Sequence, residues 1–136
     1  MVRVPWLDGS EEGAFTCGDD LADARRMASG LIDSWVSIYL LDRGTDLPTP
    51  GELPQGEGWE LIRPSMSVIF ALELRQLRKQ AGISQAEAAR RLGIKQPSYA
   101  VLEDPTRANP TLKTLERLSR AFGVAMDLDL KVRHVA

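Results

Sequence analysis

The 136-residue sequence has few of the side chains that form covalent or metal centres. It contains one cysteine, Cys17, and one histidine, His134. A single cysteine excludes an intrachain disulfide framework and any zinc site with two thiolate ligands. We therefore expect no metal, no cofactor and a reducing, cytoplasmic compartment.

Long apolar runs are also absent. No stretch approaches the roughly 18 residues of a membrane span, and the first residues lack the apolar core of a signal peptide. No glycine-rich phosphate loop occurs, Cys17 has no candidate histidine partner, and the carboxylate pairs are merely adjacent in sequence. These absences predict a protein that is neither a membrane protein nor an enzyme, with no catalytic residues.

Charge is unevenly divided along the chain, although the formal net charge is only −2. Residues 1–64 hold 5 basic and 12 acidic side chains, whereas residues 65–136 hold 12 basic and 7 acidic ones. An acidic half joined to a basic half indicates two chemically different partners, of which the basic half suits phosphates.

A segment rich in proline and glycine separates the two halves. Residues 46–58 contain three prolines and three glycines, which predicts a loop or linker. We therefore expect one domain over residues 1–64, including that linker, and a second over residues 65–136.

The first domain has the pattern of one long helix and two short strands. Apolar residues at three- and four-residue spacing predict a helix of about 24 residues that begins after Asp19 or Asp20 and ends at Gly44. Residues 14–17 and 59–62 are candidate strands. Because so small an α+β piece buries little surface, we expect further strands from a partner or a second copy.

The second domain has the pattern of closely spaced helices. The spacing predicts helices over about 67–81, 84–93, 95–104 and 111–122. The second opens with the capping-box sequence from Ser84 to Glu87 and ends at Gly93, and the third has Pro97 in its first turn.

The chain then alternates strictly between apolar and polar residues, which predicts a strand over 124–132. A strand needs a neighbour, so it must pair with the N-terminal domain or with another copy. We expect it to make a homodimer or higher oligomer through its apolar side: Val124, Met126, Leu128, Leu130 and Val132.

The two short helices joined by Gly93 and Ile94 match the helix-turn-helix arrangement. Residues 77–103 closely resemble the Cro/repressor-like (Xre) family. The resemblance implies that Gln85 holds a phosphate, that Arg107 lies over the DNA backbone and that Arg78 pairs with Glu103. It also implies that the side facing the major groove is formed by Gln96, Pro97, Ser98 and Val101.

The chemistry of these side chains fits the same role. An amide such as Gln96 can donate and accept at the edge of adenine, and Lys95 can reach guanine or a phosphate. Further cations are available to neutralise phosphates: Arg75, Lys79, Arg90, Arg91 and Lys113. Two positions depart from the commoner pattern, with Tyr99 where a small aliphatic residue is usual and Val101 where a long polar one is usual.

The first domain resembles another family. Residues 4–9 and 15–24, with the Gly18-Asp19 start of the helix, are similar to HicB antitoxins, although one or two strands usual in that family are missing. The resemblance implies binding of a small basic, RNA-cleaving toxin. Candidate contacts are the acidic residues Asp8, Glu11, Glu12, Asp19, Asp20 and Asp23.

Together the two resemblances imply a fold with a partial HicB-like α+β piece followed by an all-α helix-turn-helix domain and a C-terminal β-strand. They also imply an antitoxin of the HicA/HicB type that represses its own operon at a palindromic double-stranded DNA site. Two alternatives stay open: a repressor with no toxin partner, and an interaction protein that no longer binds DNA.

Overall fold

The computed structural model describes residues 1–131, and the chain forms two compact units, Met1–Ile69 and a second that begins at Phe70. The described residues are mainly helical, with one small sheet. The elements are β1 (Val2–Val4), β2 (Ala14–Thr16), α1 (Leu21–Ser37), a π-helical segment (Ile38–Asp42), α2 (Met66–Gln80), α3 (Gln85–Leu92), α4 (Gln96–Leu102) and α5 (Leu112–Phe122). None of the helices in this range combines the length and apolarity that a membrane crossing requires.

The first unit is a two-stranded antiparallel hairpin packed on α1. Val4 pairs with Ala14, and Arg3 pairs with Phe15. Ala14 is buried whereas Phe15 is exposed, as expected for a sheet that covers a helix with one face only.

The long helix of this unit is confirmed with a modification at its end. Asp20 caps α1 by accepting a hydrogen bond from the backbone N–H of Asp23 at 2.8 Å. The last turns widen into the π-helical segment before Gly44, which has a φ of 63°. Tyr39 and Leu40 in that segment are buried.

The predicted strand over residues 59–62 is wrong. These residues have no regular structure, because the segment is held by side chains of α1 and not by a neighbouring strand. Arg25 binds Glu60 at 2.8 Å, and Ser29 Oγ donates to the carbonyl of Arg63 at 2.8 Å. The N–H of Ser65 donates to Asp33 at 2.9 Å. The strand that pairs with β2 is instead β1.

The segment 46–58 is a loop without helix or strand, as its composition predicts. The division between the two units falls inside α2, between Ile69 and Phe70, whereas the sequence suggested residues 64 and 65.

The four helices that the sequence predicts for the second half are confirmed, and the second unit contains the larger part of α2 together with α3, α4 and α5. Ser84 caps α3 and Thr111 caps α5, each hydroxyl accepting a backbone N–H three residues on at 3.1 Å. Both helices end at a glycine in the left-handed region, Gly93 with a φ of 70° and Gly123 with a φ of 65°.

One core holds the helices of this unit together. Its buried members come from α2, α3, α4 and α5: Leu74, Ala88, Ala89, Leu92, Tyr99 and Leu118. The two adjacent alanines of α3 present no bulky side chain, and α4 packs closely on that helix.

The predicted C-terminal strand is not formed in the single chain. Residues 124–131 have no regular structure, and Val132 lies outside the described residues. The physical reason is that a strand exists only through pairing, and no other segment of the described chain hydrogen-bonds along this one. Its role in dimerisation stays a prediction.

Replacing Leu118 with alanine should remove packing at the centre of the second unit. Leu118 is fully buried, so Leu118→Ala should lower the free energy of unfolding by about 2–5 kcal/mol. Leu112→Ala is the matched control on the same helix, because Leu112 is 67% exposed, and should cost less than about 0.5 kcal/mol. Urea unfolding followed by circular dichroism measures both, and equal costs would contradict this core.

Candidate nucleic-acid interface

The helices α3 and α4 are joined by a tight turn of three residues. Gly93 takes the left-handed conformation that reverses the chain, and the N–H of Ile94 donates to the carbonyl of Ala89 at 3.0 Å. Lys95 then forms the N-cap of α4, with Gln96 and Pro97 in its first turn. The turn places the first residues of α3 and α4 close together.

Gln85 and Gln96 show this proximity directly. Gln96 Nε2 donates a hydrogen bond to Gln85 Oε1 at 3.0 Å. Gln96 is exposed and Gln85 half-buried, so both amides keep polar atoms available to a ligand. Neighbouring polar groups that point outward from two helix starts form a surface suited to hydrogen bonding.

The other predicted contact residues lie at different depths. Lys95, Pro97 and Ser98 are exposed beside Gln96, whereas Val101 is half-buried one turn further along α4. Arg107 is exposed in the loop between α4 and α5, where its N–H donates to the carbonyl of Asp104 at 3.1 Å.

Arg78 and Glu103 form a buried ion pair between α2 and the end of α4. Arg78 Nε lies 2.7 Å from Glu103 Oε2, and Arg78 Nη2 lies 3.0 Å from Oε1. Glu103 is only 5% exposed. Arg78 Nη1 also donates to the carbonyl of Ile83 at 3.0 Å, so one guanidinium joins α2, the turn before α3 and the end of α4. The hydrogen bonds to Glu103 raise the pKa of Arg78.

Tyr99 lies next to this pair and is fully buried in the core. Burial, and then the negative charge of Glu103, raise the pKa of its phenol, while Arg78 opposes the shift. The large side chain at this unusual position therefore packs inside the domain, and it does not face the proposed groove.

Two of the predicted phosphate-binding cations are paired within the chain. Glu87 accepts hydrogen bonds from Arg90 at 2.7 Å and from Arg91 at 3.0 Å. These two arginines lower the pKa of Glu87 to about 2. The Ser84 half of the predicted capping box is present, while the Glu87 carboxylate serves this cluster on the exposed side of α3.

Arg117 has a structural role that the sequence did not reveal. Its Nη2 donates to the carbonyl of Leu92, the last residue of α3, and so ties α5 to the C-terminal end of that helix. A cation at this position also opposes the negative end of the helix dipole. Sequence spacing contains no signal for this contact, because the two residues are 25 positions apart.

The buried phenol makes a specific pH dependence testable. Because the folded state raises the pKa of Tyr99 above its usual value of about 10, the folded chain keeps a proton that the unfolded chain loses. The contribution of the Tyr99 phenol to the free energy of unfolding should be fully present below pH 10. Above pH 10 the free energy of unfolding should fall by up to about 1.4 kcal/mol per pH unit. Chemical unfolding at several pH values measures the slope. Tyr99→Phe should remove this component, and an unchanged slope in that variant would contradict the assignment.

Comparison with known proteins supports the assignment of the second unit as a helix-turn-helix domain. Residues 74–128 match the helix-turn-helix family model. Antitoxin HigA1 of Mycobacterium tuberculosis is 39% identical over 56 residues, which is 41% of this chain and 37% of the antitoxin. The SPbeta prophage-derived HTH-type transcriptional regulator YonR of Bacillus subtilis is 39% identical over 66 residues, 48% of this chain and 60% of the regulator. The similarity thus spans less than two thirds of either relative. Residues 74–128 form a helix-turn-helix domain.

Proposed function

We propose that the protein is a DNA-binding antitoxin that also represses transcription. The observation that carries the DNA-binding part is the hydrogen-bonded pair Gln85–Gln96 at the exposed start of α4, within a helix-turn-helix domain. In this arrangement α4 enters the major groove and the start of α3 lies against the backbone.

The two amides can divide the work between phosphate and base. Gln96 uses one hydrogen of Nε2 for Gln85. Its second hydrogen and its Oε1 are then free to bind N7 and the N6 amino group of adenine. The amide hydrogens of Gln85 can donate to a phosphate oxygen. Gln85 thus holds the side chain that reads the base.

Phosphate contacts come from cations around this centre. Lys95 and Arg107 are exposed, and Lys113 is exposed in the first turn of α5. Pro97, Ser98 and Val101 continue the surface of α4, where Val101 can contact a thymine methyl. Two copies of the domain about one helical turn apart would bind a palindromic operator.

The antitoxin part rests on a named relative and on the first unit. HigA1 is named an antitoxin, and the segment 1–64 has a net charge of −7 that would attract a basic, RNA-binding protein. In finer detail, the resemblance of that segment to HicB favours a HicA-like toxin of small size.

One face of the hairpin is suited to such a contact. Phe15 is 47% exposed and lies directly opposite Arg3, whose guanidinium is 5.2 Å from the ring centre of Trp59. Exposed aromatic and arginine side chains are typical of binding hot spots. Glu11 and Glu12, in the turn between the strands, are exposed and make no ion pair within residues 1–131.

Three of the other acidic candidates have side chains with local roles. Asp8 accepts the N–H and hydroxyl of Ser10, Asp20 caps α1, and Asp23 accepts the N–H of Asp19 and pairs with Arg26. The exposed carboxylates of Glu11, Glu12 and Asp19 are therefore the ones available to a toxin, and Glu11 and Glu12 lie side by side in the hairpin turn.

A second candidate function is a transcriptional repressor without a toxin. The similarity to YonR, which is named as a transcriptional regulator, favours it. Purification of the tagged chain expressed with its neighbouring genes separates the two proposals. A stoichiometric small basic protein that is toxic when expressed alone supports the antitoxin, and recovery of the chain by itself supports the repressor.

Gln96→Ala should reduce the protein's discrimination between bases in the DNA upstream of the gene that encodes it. We expect a loss of about 1–3 kcal/mol of discrimination between the operator and single-base variants. Fluorescence anisotropy with labelled duplexes measures the affinities, and Gln55→Ala, an exposed glutamine in the segment 46–58, is the control. Unchanged discrimination would contradict the assignment of α4 as the reading helix.

Arg107→Ala should lower the binding affinity for all DNA sequences by a similar factor. Loss of one phosphate contact should reduce the slope of log affinity against log salt by about 1. If the native chain shows no measurable DNA affinity even at low salt, the result would favour the interaction protein that does not bind DNA.

Charge reversal in the hairpin turn tests the toxin surface. Glu11→Lys with Glu12→Lys should slow association with the co-purified toxin by about tenfold at low salt and by less at high salt. Glu52→Lys with Glu57→Lys is the matched control, because both residues are exposed in the segment 46–58. Stopped-flow or surface plasmon resonance gives the rate, and equal effects of the two pairs would assign the attraction to net charge alone.

A further inference from the structure

Three charged side chains form a cluster on the exposed side of α3. Glu87 lies in the first turn of this helix, and Arg90 and Arg91 lie in its last turn. Arg90 donates to Glu87 from Nε at 2.8 Å and from Nη2 at 2.7 Å, and Arg91 donates from Nε at 3.0 Å. One carboxylate thus accepts hydrogen bonds from both guanidinium groups and neutralises one of their two positive charges.

Both arginines reach back toward the start of α3. Side chains of an α-helix point toward its N-terminus, and residues three or four positions apart lie on one face. The guanidinium groups are therefore held beside the first turn, which also contains Gln85. The side chain of Arg90 is 73% exposed and that of Arg91 38% exposed. A DNA backbone that lies against the start of α3 would run close to both groups.

The contact between Arg90 and Glu87 has the geometry that arginine uses for phosphate. A guanidinium group offers parallel N–H donors that match two oxygens of a carboxylate or of a phosphate group. In this pair Nε faces Oε2 and Nη2 faces Oε1. The arginines lower the pKa of Glu87 to about 2, so the carboxylate is charged at neutral pH. Glu87 therefore occupies the donors that a phosphate group would need.

We propose that Glu87 limits the attraction of the domain to DNA of any sequence, because it competes with phosphate for Arg90 and Arg91. The inference rests on the proposed function, since it requires DNA at the start of α3. Phosphate contacts carry no information about the base, whereas an amide such as Gln96 can distinguish bases. A low sequence-independent affinity leaves the base contacts to decide where the chain binds.

A second glutamate, on α5, provides a matched control. Glu116 lies 3.8 Å from Arg120, and their side chains are 69% and 77% exposed. Glu87→Gln and Glu116→Gln each remove one negative charge beside an arginine, while glutamine keeps the shape of glutamate. Glutamine is also common at the third position of a capped helix, so α3 should keep its start.

Glu87→Gln should increase binding to a labelled duplex that has the base composition of the upstream DNA in scrambled order. We expect an affinity about tenfold higher at low salt and a slope of log affinity against log salt that is steeper by about 1–2, because each added phosphate contact contributes about 0.9. Glu116→Gln should change the slope by less than about 0.5. Fluorescence anisotropy at several salt concentrations measures the affinities, and circular dichroism verifies that each variant is folded.

A double-mutant cycle tests whether the effect acts through the arginines. In a chain that carries Arg90→Ala and Arg91→Ala, the further change Glu87→Gln should leave the slope where it was, because no guanidinium group remains to be released. A full effect of Glu87→Gln in that chain would overturn the proposal.

The remaining outcomes separate this inference from the proposed function. A native chain that binds DNA and a slope that Glu87→Gln does not change would overturn the inference alone. Equal changes in Glu87→Gln and Glu116→Gln would assign the effect to net charge and would also overturn it. Failure of both the native chain and Glu87→Gln to bind either the scrambled or the upstream duplex would overturn the DNA-binding function together with the inference.

Discussion

The ion pair between Arg78 and Glu103 is the interaction on which the proposed DNA-reading surface depends. It is buried, and the same guanidinium also binds the carbonyl of Ile83. Removing one partner of such a pair leaves an uncompensated charge in the core, at a cost of about 3–5 kcal/mol. The pair therefore fixes the end of α4 and the turn before α3 against α2, and it does so next to the buried phenol of Tyr99.

This buried constraint explains why the exposed amides are ordered. Gln85 and Gln96 lie at the starts of two short helices, where few packing contacts would restrain a surface side chain. Their hydrogen bond is possible because the core alanines of α3, the left-handed Gly93 and the buried end of α4 leave one arrangement of the two helices. A preorganised pair of this kind loses little conformational entropy on binding.

The basic character of the second half is partly used within the domain. Arg90 and Arg91 share Glu87, Arg117 binds the end of α3, and Arg78 is buried with Glu103. A count of positive residues thus exaggerates the charge that can meet phosphate. The first half differs, since local caps use several aspartates while Glu11 and Glu12 remain exposed.

Local sequence determines much of the secondary structure of this protein. The helix boundaries follow from capping residues and glycines whose effects reach three or four positions, so Ser84, Thr111, Gly93 and Gly123 could be interpreted from the sequence alone. The helix-turn-helix followed from the same short-range rules.

Contacts between distant residues depended on the tertiary structure. Arg25 with Glu60 and Ser29 with Arg63 hold a segment that has the composition of a strand, and Arg117 reaches α3 across 25 residues. Periodicity describes which side of a segment is apolar, but only packing decides which partner covers that side and which charges remain free for a ligand.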